Sequence, residues 1–161
     1  ARPRTAAGTG RARTCTRSEL LGMLASHVTF VDTNVLVYAH DASEVERQPA
    51  ARQLLEGLWA NRSGILSTQV LQEFYAVMTG KSRLHMAPSE AREIVALYSA
   101  WPVVTLDPVI ILAATVLHEV RSISFWDALI VEAARIGGAG TIVSEDLAGF
   151  ESNGIRCVNP F

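Results

Sequence analysis

The sequence predicts an α/β fold, with helices on both faces of a central, mostly parallel sheet in a three-layer arrangement. Short runs of apolar and β-branched residues, typical of buried strands, alternate with longer segments whose apolar residues recur at helical spacing. This alternation favours parallel strands joined by helical crossovers. The length of 161 residues suits one domain with a full hydrophobic core.

The first 27 residues differ in composition from the rest of the chain. They contain five arginines and one glutamate, and residues 1–17 show no acidic residue and no periodic apolar pattern. We therefore predict a basic, disordered N-terminal extension over residues 1–27 and a folded domain over residues 28–161.

The folded domain is predicted to begin with a buried strand over residues 28–31, which ends on Asp32. A short helix over residues 34–40 follows. In open α/β sheets, ligands bind outside the carboxyl ends of the strands, so polar residues directly after a strand are candidates for a site. Asp32 or Thr33 could equally serve as a plain helix cap.

Three helices and two strands are predicted in the middle of the chain. Ser43 and Glu46 have capping-box spacing, so a helix is expected to start there and to end near residues 61–64. The pattern then predicts a strand over 65–67, an amphipathic helix over 68–81, a helix over 88–101 and a strand over 102–106. Glu73 lies beside the apolar stripe of its helix, where it can reach the rim of a cleft.

The last third predicts two helices and two strands. One helix starts at Asp107-Pro108 and runs through Val120, and the other covers residues 124–136 and ends at Gly137-Gly138. A strand over 141–143 leads into Ser144, Glu145 and Asp146, and a final strand covers 155–158.

The charge and cysteine content restrict the function. Residues 28–161 contain nine Lys or Arg and fifteen Asp or Glu, which argues against nucleic-acid binding through a basic face alone and suits carboxylates gathered around cations. No apolar run approaches the roughly 20 residues that span a bilayer. The cysteines, Cys15 and Cys157, show neither disulfide nor zinc spacing, so we expect a reducing cytoplasm.

Four acidic residues are expected to lie near the carboxyl edge of the predicted sheet. They are Asp32, Glu73, Asp127 and Asp146. Four carboxylates in one cleft need a cation to offset their repulsion, and Mg²⁺ or Mn²⁺ prefers oxygen ligands. Two such ions can activate a water molecule and stabilise both oxygens of a phosphodiester displacement. Each acid also has a structural explanation as a helix cap, a turn residue or a solvated helix flank.

Five motifs together resemble those of one family. They are Asp32-Thr33-Asn34-Val35-Leu36, Gln72-Glu73-Phe74, Ser124-Phe125-Trp126-Asp127-Ala128-Leu129-Ile130, Ser144-Glu145-Asp146-Leu147 and Val158-Asn159-Pro160-Phe161. In this order they resemble the motifs of PIN-domain ribonucleases, and most closely the VapC-type toxins of bacterial toxin–antitoxin modules. The resemblance covers about residues 28–161, and the basic extension is a departure from it.

The resemblance implies roles for individual residues. Asp32, Glu73, Asp127 and Asp146 would form the catalytic, metal-binding quartet. Thr33, Asn34 and Ser144 would support these carboxylates or position the substrate. At most one of the neighbours Glu145 and Asp146 is expected to bind metal directly, and the family pattern favours Asp146.

By the same resemblance, the protein would be a Mg²⁺-dependent (or Mn²⁺-dependent) endoribonuclease toxin in the cytoplasm. Its substrate would be tRNA or another structured RNA, its expected state a homodimer, and its inhibitor a cognate antitoxin. The extension could recruit RNA or be an unstructured leader. A DNA nuclease on the same fold and a non-catalytic module that binds RNA or a partner stay open as alternatives.

Other residues that could contact RNA are given structural assignments. The four histidines form no recognisable pair, which argues against a metal-free ribonuclease. Trp59, Trp101 and Trp126 lie at helical spacing in apolar stretches and are predicted to be core residues, as are Tyr38 and Phe74.

Overall fold

The computed structural model describes residues 27–80 and 85–161, and within them it contains six strands and six helices. The strands are β1 (Thr29–Val31), β2 (Gly64–Ser67), β3 (Val103–Val104), β4 (Thr141–Val143), β5 (Glu151–Ser152) and β6 (Ile155–Val158). The helices are α1 (Thr33–His40), α2 (Arg47–Asn61), α3 (Thr68–Thr79), α4 (Pro88–Tyr98), α5 (Pro108–Arg121) and α6 (Phe125–Ile136).

The strands form one sheet in the order β3-β2-β1-β4-β6-β5. Every neighbouring pair is parallel except β5 and β6, which are antiparallel. The predicted α/β fold with a mostly parallel central sheet is therefore confirmed. Because β1 lies between β2 and β4, the segments that follow these three strands meet at one edge of the sheet.

The core is built from the central strands and the helices that cover them. Phe30, Val31 and Ile142 are fully buried in β1 and β4, as expected for β-branched and aromatic residues in strands that are covered on both faces. Phe74 of α3 packs into the same cluster, as predicted. Trp101 is also buried, and its ring lies so close to Gly64 that a Cβ atom there would clash with it.

Two local predictions need correction, and one strand was not predicted. The helix after residue 43 has no capping box: α2 begins at Arg47, Glu46 makes no side-chain cap bond, and Ser43 instead donates from its backbone N–H and hydroxyl to Asp41. The strand predicted over 102–106 is only two residues long. Strand β5 was not predicted, because it has two residues and no apolar alternation, and a turn with left-handed Asn153 and Gly154 joins it to β6.

Two predictions concern the extension and the membrane. The extension over residues 1–27 falls almost wholly outside the described residues and stays a prediction. In the part of the chain that the structure describes, no helix has the length and apolar character needed to cross a bilayer.

Candidate active site

A cleft of about 410 Å³ opens at the carboxyl edge of the sheet. Its lining includes Asp32, Glu73, Asp127 and Asp146 together with Thr33, Asn34, Val37, Tyr38, Gln69, Val77, Trp126 and Ile130. All four acidic residues singled out in the sequence thus face one space, although they come from four separate segments. Ser144 does not line the cleft but contacts it through Asp32.

Asp32 is the most enclosed of the four carboxylates, with 7% of its surface exposed. Its Oδ1 accepts the Thr33 backbone N–H at 2.6 Å and so caps α1, while its Oδ2 accepts the Ser144 hydroxyl at 2.6 Å. Asp32 is therefore a helix cap and a cleft residue at once. Burial raises the pKa of Asp32 to about 6, although the hydrogen bonds from Ser144 and Thr33 oppose the shift.

Asn34 connects two of the acids. Its amide Nδ2 lies 3.2 Å from Asp32 Oδ2 and 3.2 Å from Asp146 Oδ2. Ser144 also stabilises the segment that contains Asp146, because its hydroxyl oxygen accepts the Leu147 backbone N–H at 3.2 Å. A neutral amide and a hydroxyl thus orient these two carboxylates.

Both oxygens of Glu73 are also held. Its Oε2 accepts the Thr33 hydroxyl at 2.7 Å, and its Oε1 accepts Gln69 Nε2 at 2.9 Å. Gln69 was not singled out in the sequence; the available signal was an amide one helical turn before the glutamate. Its Nε2 also reaches the Trp126 carbonyl at 3.3 Å, so Gln69 bridges α3 to the start of α6.

Gln69 is only 3% exposed, and its Oε1 has no hydrogen-bond partner among the described residues. Exchanging the amide oxygen and nitrogen would point Oε1 at a carboxylate and a carbonyl, so the two acceptors fix the orientation.

Asp127 lies in the first turn of α6. The Ser124 hydroxyl oxygen accepts the Asp127 backbone N–H at 3.0 Å, so Ser124 is the cap. Asp127 therefore takes part in the cap only through its backbone N–H, and the residue also lines the cleft.

Glu145 and Asp146 have different environments. Glu145 pairs with Arg47 at 2.9 Å and accepts the Tyr38 hydroxyl, and Arg47 lies over the Tyr38 ring at 5.0 Å. Burial, with help from this hydrogen bond, raises the pKa of Tyr38 to about 12. Asp146 lines the cleft and Glu145 does not.

Three of the aromatic residues predicted to be core need correction. Trp126, predicted to be a core residue, is 61% exposed and lines the cleft, and Trp59 is 42% exposed. Tyr38, also predicted to be core, is only half-buried and lines the cleft as well. Apolar spacing could not reveal this, because α6 has apolar residues on more than one face. His40 does not line the cleft, and its Nε2 lies 3.2 Å from the Tyr98 hydroxyl.

The donor set fits a hard divalent cation. Four carboxylates share one cleft, and burial of Asp32 disfavours its charge, a cost that a cation would offset. Within the described residues, no three His, Cys, Asp or Glu side chains are grouped as ligands of one ion. Mg²⁺ does not need such a group, because it usually keeps several waters and binds through one or two carboxylates.

Comparisons with known proteins agree with this fold. The family model described as PIN domain matches residues 29–153. VapC20 of Mycobacterium tuberculosis, described as a sarcin-ricin loop cleaving toxin, superposes with a TM-score of 0.57 at 24% identity, covering 74% of this chain and 90% of that one. No curated protein matches the chain in sequence.

Two further solved structures are similar. A toxin–antitoxin complex from Klebsiella pneumoniae gives a TM-score of 0.61 at 18% identity and covers 83% of this chain and 98% of that chain. VapBC2 from Rickettsia felis, bound to a DNA fragment from its promoter, gives 0.59 at 21%, with 80% and 96% covered. At these identities the likeness is one of fold.

Proposed function

The chain belongs to the PIN-domain family, and we propose that it is a metal-dependent endoribonuclease that acts as the toxin of a toxin–antitoxin module. The observation that carries the proposal is the single cleft lined by Asp32, Glu73, Asp127 and Asp146. A site rich in carboxylates suits hydrolysis of a phosphodiester only when cations balance its charge, and the PIN fold is the context in which we expect that chemistry.

In this proposal Mg²⁺, or Mn²⁺ in its place, would bind in the cleft through carboxylates of the Asp32, Glu73, Asp127 and Asp146 set, with water completing its coordination. A bound ion of this kind supplies charge stabilisation at the scissile phosphate and activates water. The protein supplies orientation. Thr33 and Gln69 fix the two oxygens of Glu73, Ser144 and Asn34 fix Asp32, and Asn34 extends to Asp146. These donors are neutral, so they orient carboxylates without competing with the cation for their charge.

The partners follow from the same proposal. The substrate is cellular RNA, with tRNA or another structured RNA as the expected class, and the site of action is the cytoplasm. Two of the similar structures are toxin–antitoxin complexes, which supports a cognate antitoxin as partner. We propose that a segment of this antitoxin covers the acidic cleft. We also propose a homodimer as the active assembly.

The test is cleavage of matched RNA and DNA oligonucleotides by the purified full chain in Mg²⁺. We expect RNA to be cut, EDTA to stop the reaction and Asp127→Asn to abolish it. Asp107→Asn is the matched control, because Asp107 caps α5 through its Oδ1, Asn caps equally well, and the residue does not line the cleft. Cleavage of DNA alone, or equal cleavage by Asp127→Asn, would refute the proposal.

A further inference from the structure

We infer that Trp126 is a base-stacking subsite, whose indole packs against an unpaired nucleotide base beside the phosphate that is held at the acidic cleft. The inference rests on the proposed function and adds to it a residue that contacts a base of the RNA. It concerns a residue that sequence reasoning assigned to the core.

The position of Trp126 is the first argument. The residue is 61% exposed, lines the cleft and directly precedes Asp127. A tryptophan can bury roughly 150–250 Å² of surface and is highly buried in most proteins. The indole of Trp126 is therefore unusually exposed, and a ligand in the cleft could bury it.

The backbone that carries the indole is fixed before any ligand arrives. Gln69 donates to the Trp126 carbonyl at 3.3 Å, and the Ser124 cap holds the next backbone N–H at 3.0 Å. The ring itself lies in an edge contact with Phe125, with centroids 5.6 Å apart. Ordering a side chain on binding costs free energy, so a ring that is already anchored is better suited to stacking.

The other aromatic side chain of the cleft is already engaged. Arg47 lies over the ring of Tyr38, Phe161 meets it edge-on at 5.1 Å, and its hydroxyl donates to Glu145. Among the described lining residues, Trp126 is therefore the aromatic group with an exposed ring. Val77 and Ile130 extend the apolar part of the same lining.

The charge of the cleft lining provides a further argument. The described residues that line the cleft include no Lys or Arg, so a base contact would add affinity that basic side chains of this lining do not provide. Stacking of a base on an aromatic side chain contributes about 1–3 kcal/mol and does not depend on basic residues. It requires a base that is free of its stack, as in loops, bulges and ends. A base that packs on Trp126 is therefore one that is free of its neighbours in the stack.

The test uses the full chain with Asp127→Asn, which prevents cleavage during the measurement. Binding of a fluorescein-labelled single-stranded oligoribonucleotide of mixed sequence is followed by anisotropy, with a fully paired RNA duplex in parallel. We expect Trp126→Ala to weaken single-strand binding by about 10-fold or more and Trp126→Phe to retain most of it. The ratio of the parent's affinity for the single strand to that of Trp126→Ala should stay the same as the salt concentration rises, because stacking releases few counterions.

Trp59→Ala is the matched control, since Trp59 is also exposed but lines a different cleft with Trp101. Equal RNA binding by Trp126→Ala and its parent would overturn the inference while leaving the proposed function intact. Conversion of a dimer to a monomer by Trp126→Ala, measured by light scattering without RNA, would also overturn it, because the ring would then belong to a protein interface. Absence of RNA binding in the parent would count against the proposed function itself.

Discussion

At the residue scale, Asp32 both caps a helix and lines the acidic cleft, and without a cation its charge in the cleft is unfavourable. One oxygen caps α1 and the other receives Ser144 and Asn34, yet the carboxylate is nearly buried and lines a cleft with three other acids. Burial raises its pKa to about 6 from an ordinary value of 3.8. The native state thus holds a proton more tightly than the unfolded chain does.

This shift predicts how stability depends on pH in the metal-free protein. Between the unfolded and folded pKa values the native state binds more protons, so the free energy of unfolding falls as pH rises from about 4 to about 6 and stays lower above it. Asp32→Asn, which cannot ionise, should flatten this part of the profile and be more stable than the parent near pH 7.5 by about 1–3 kcal/mol. Urea unfolding in EDTA across pH measures both effects, and coincident profiles would contradict them.

Glu145 and Asp146 are adjacent in sequence but differ in their expected contribution. Glu145 is committed to Arg47 and Tyr38, and the ion pair is partly exposed, so Glu145→Gln should cost less than about 1 kcal/mol of stability and preserve most activity. Asp146→Asn should lower RNA cleavage by about 100-fold or more, because it removes an oxygen donor of the cleft. Activity assays beside thermal unfolding separate the pair, and an equal loss for both would be inconsistent with the assignment.

At the element scale, the helical periodicity of α3 places two residues of the site next to each other. Gln69 and Glu73 lie one turn apart, so the helix brings the amide beside the carboxylate that it holds, and the same amide reaches α6 at the Trp126 carbonyl. One helix therefore fixes the orientation of its own acid and ties itself to the helix that carries Asp127.

The Gln69 bridge can be tested with a variant of similar shape. Gln69→Met keeps a side chain of similar size but removes the hydrogen bonds that Gln69 donates to Glu73 and to the Trp126 carbonyl, so the free energy of unfolding should fall by about 1–3 kcal/mol. The affinity for Mn²⁺, measured by calorimetry, should fall by about 10-fold because Glu73 loses one of its two supports. Gln72→Met is the control, since Gln72 is exposed on the same helix. Unchanged Mn²⁺ affinity, or a protein that no longer folds, would contradict a positioning role.

At the scale of the whole molecule, the parallel sheet is what brings distant acids together. With β1 between β2 and β4, the segments after all three strands meet at one edge. The strands were predictable because runs such as residues 28–31 and 141–143 are apolar and end in polar residues. The shared cleft was anticipated for the same reason, although the sequence alone could not supply the strand order.

What the sequence did not reveal depends on tertiary contacts. The Ser43 hydroxyl donates to Asp41, so Ser43 does not form the predicted capping box. Strand β5 is too short and too polar to produce a recognisable strand pattern in the sequence. Gln69 is one of two glutamines in α3, and the sequence alone does not tell which of them contacts the Glu73 carboxylate. Trp126 has the spacing of a core residue but lies on the open side of α6.

The most direct test of the central claim is to express the full chain and its Asp127→Asn variant in bacteria and to sequence the 5′ ends of cleaved cellular RNA. The account predicts new 5′ ends at defined positions in structured RNA, together with growth arrest, for the parent, and neither for the variant. Asp107→Asn should behave like the parent. The same 5′ ends and the same arrest with a folded Asp127→Asn protein would contradict the claim that the acidic cleft is the nuclease centre.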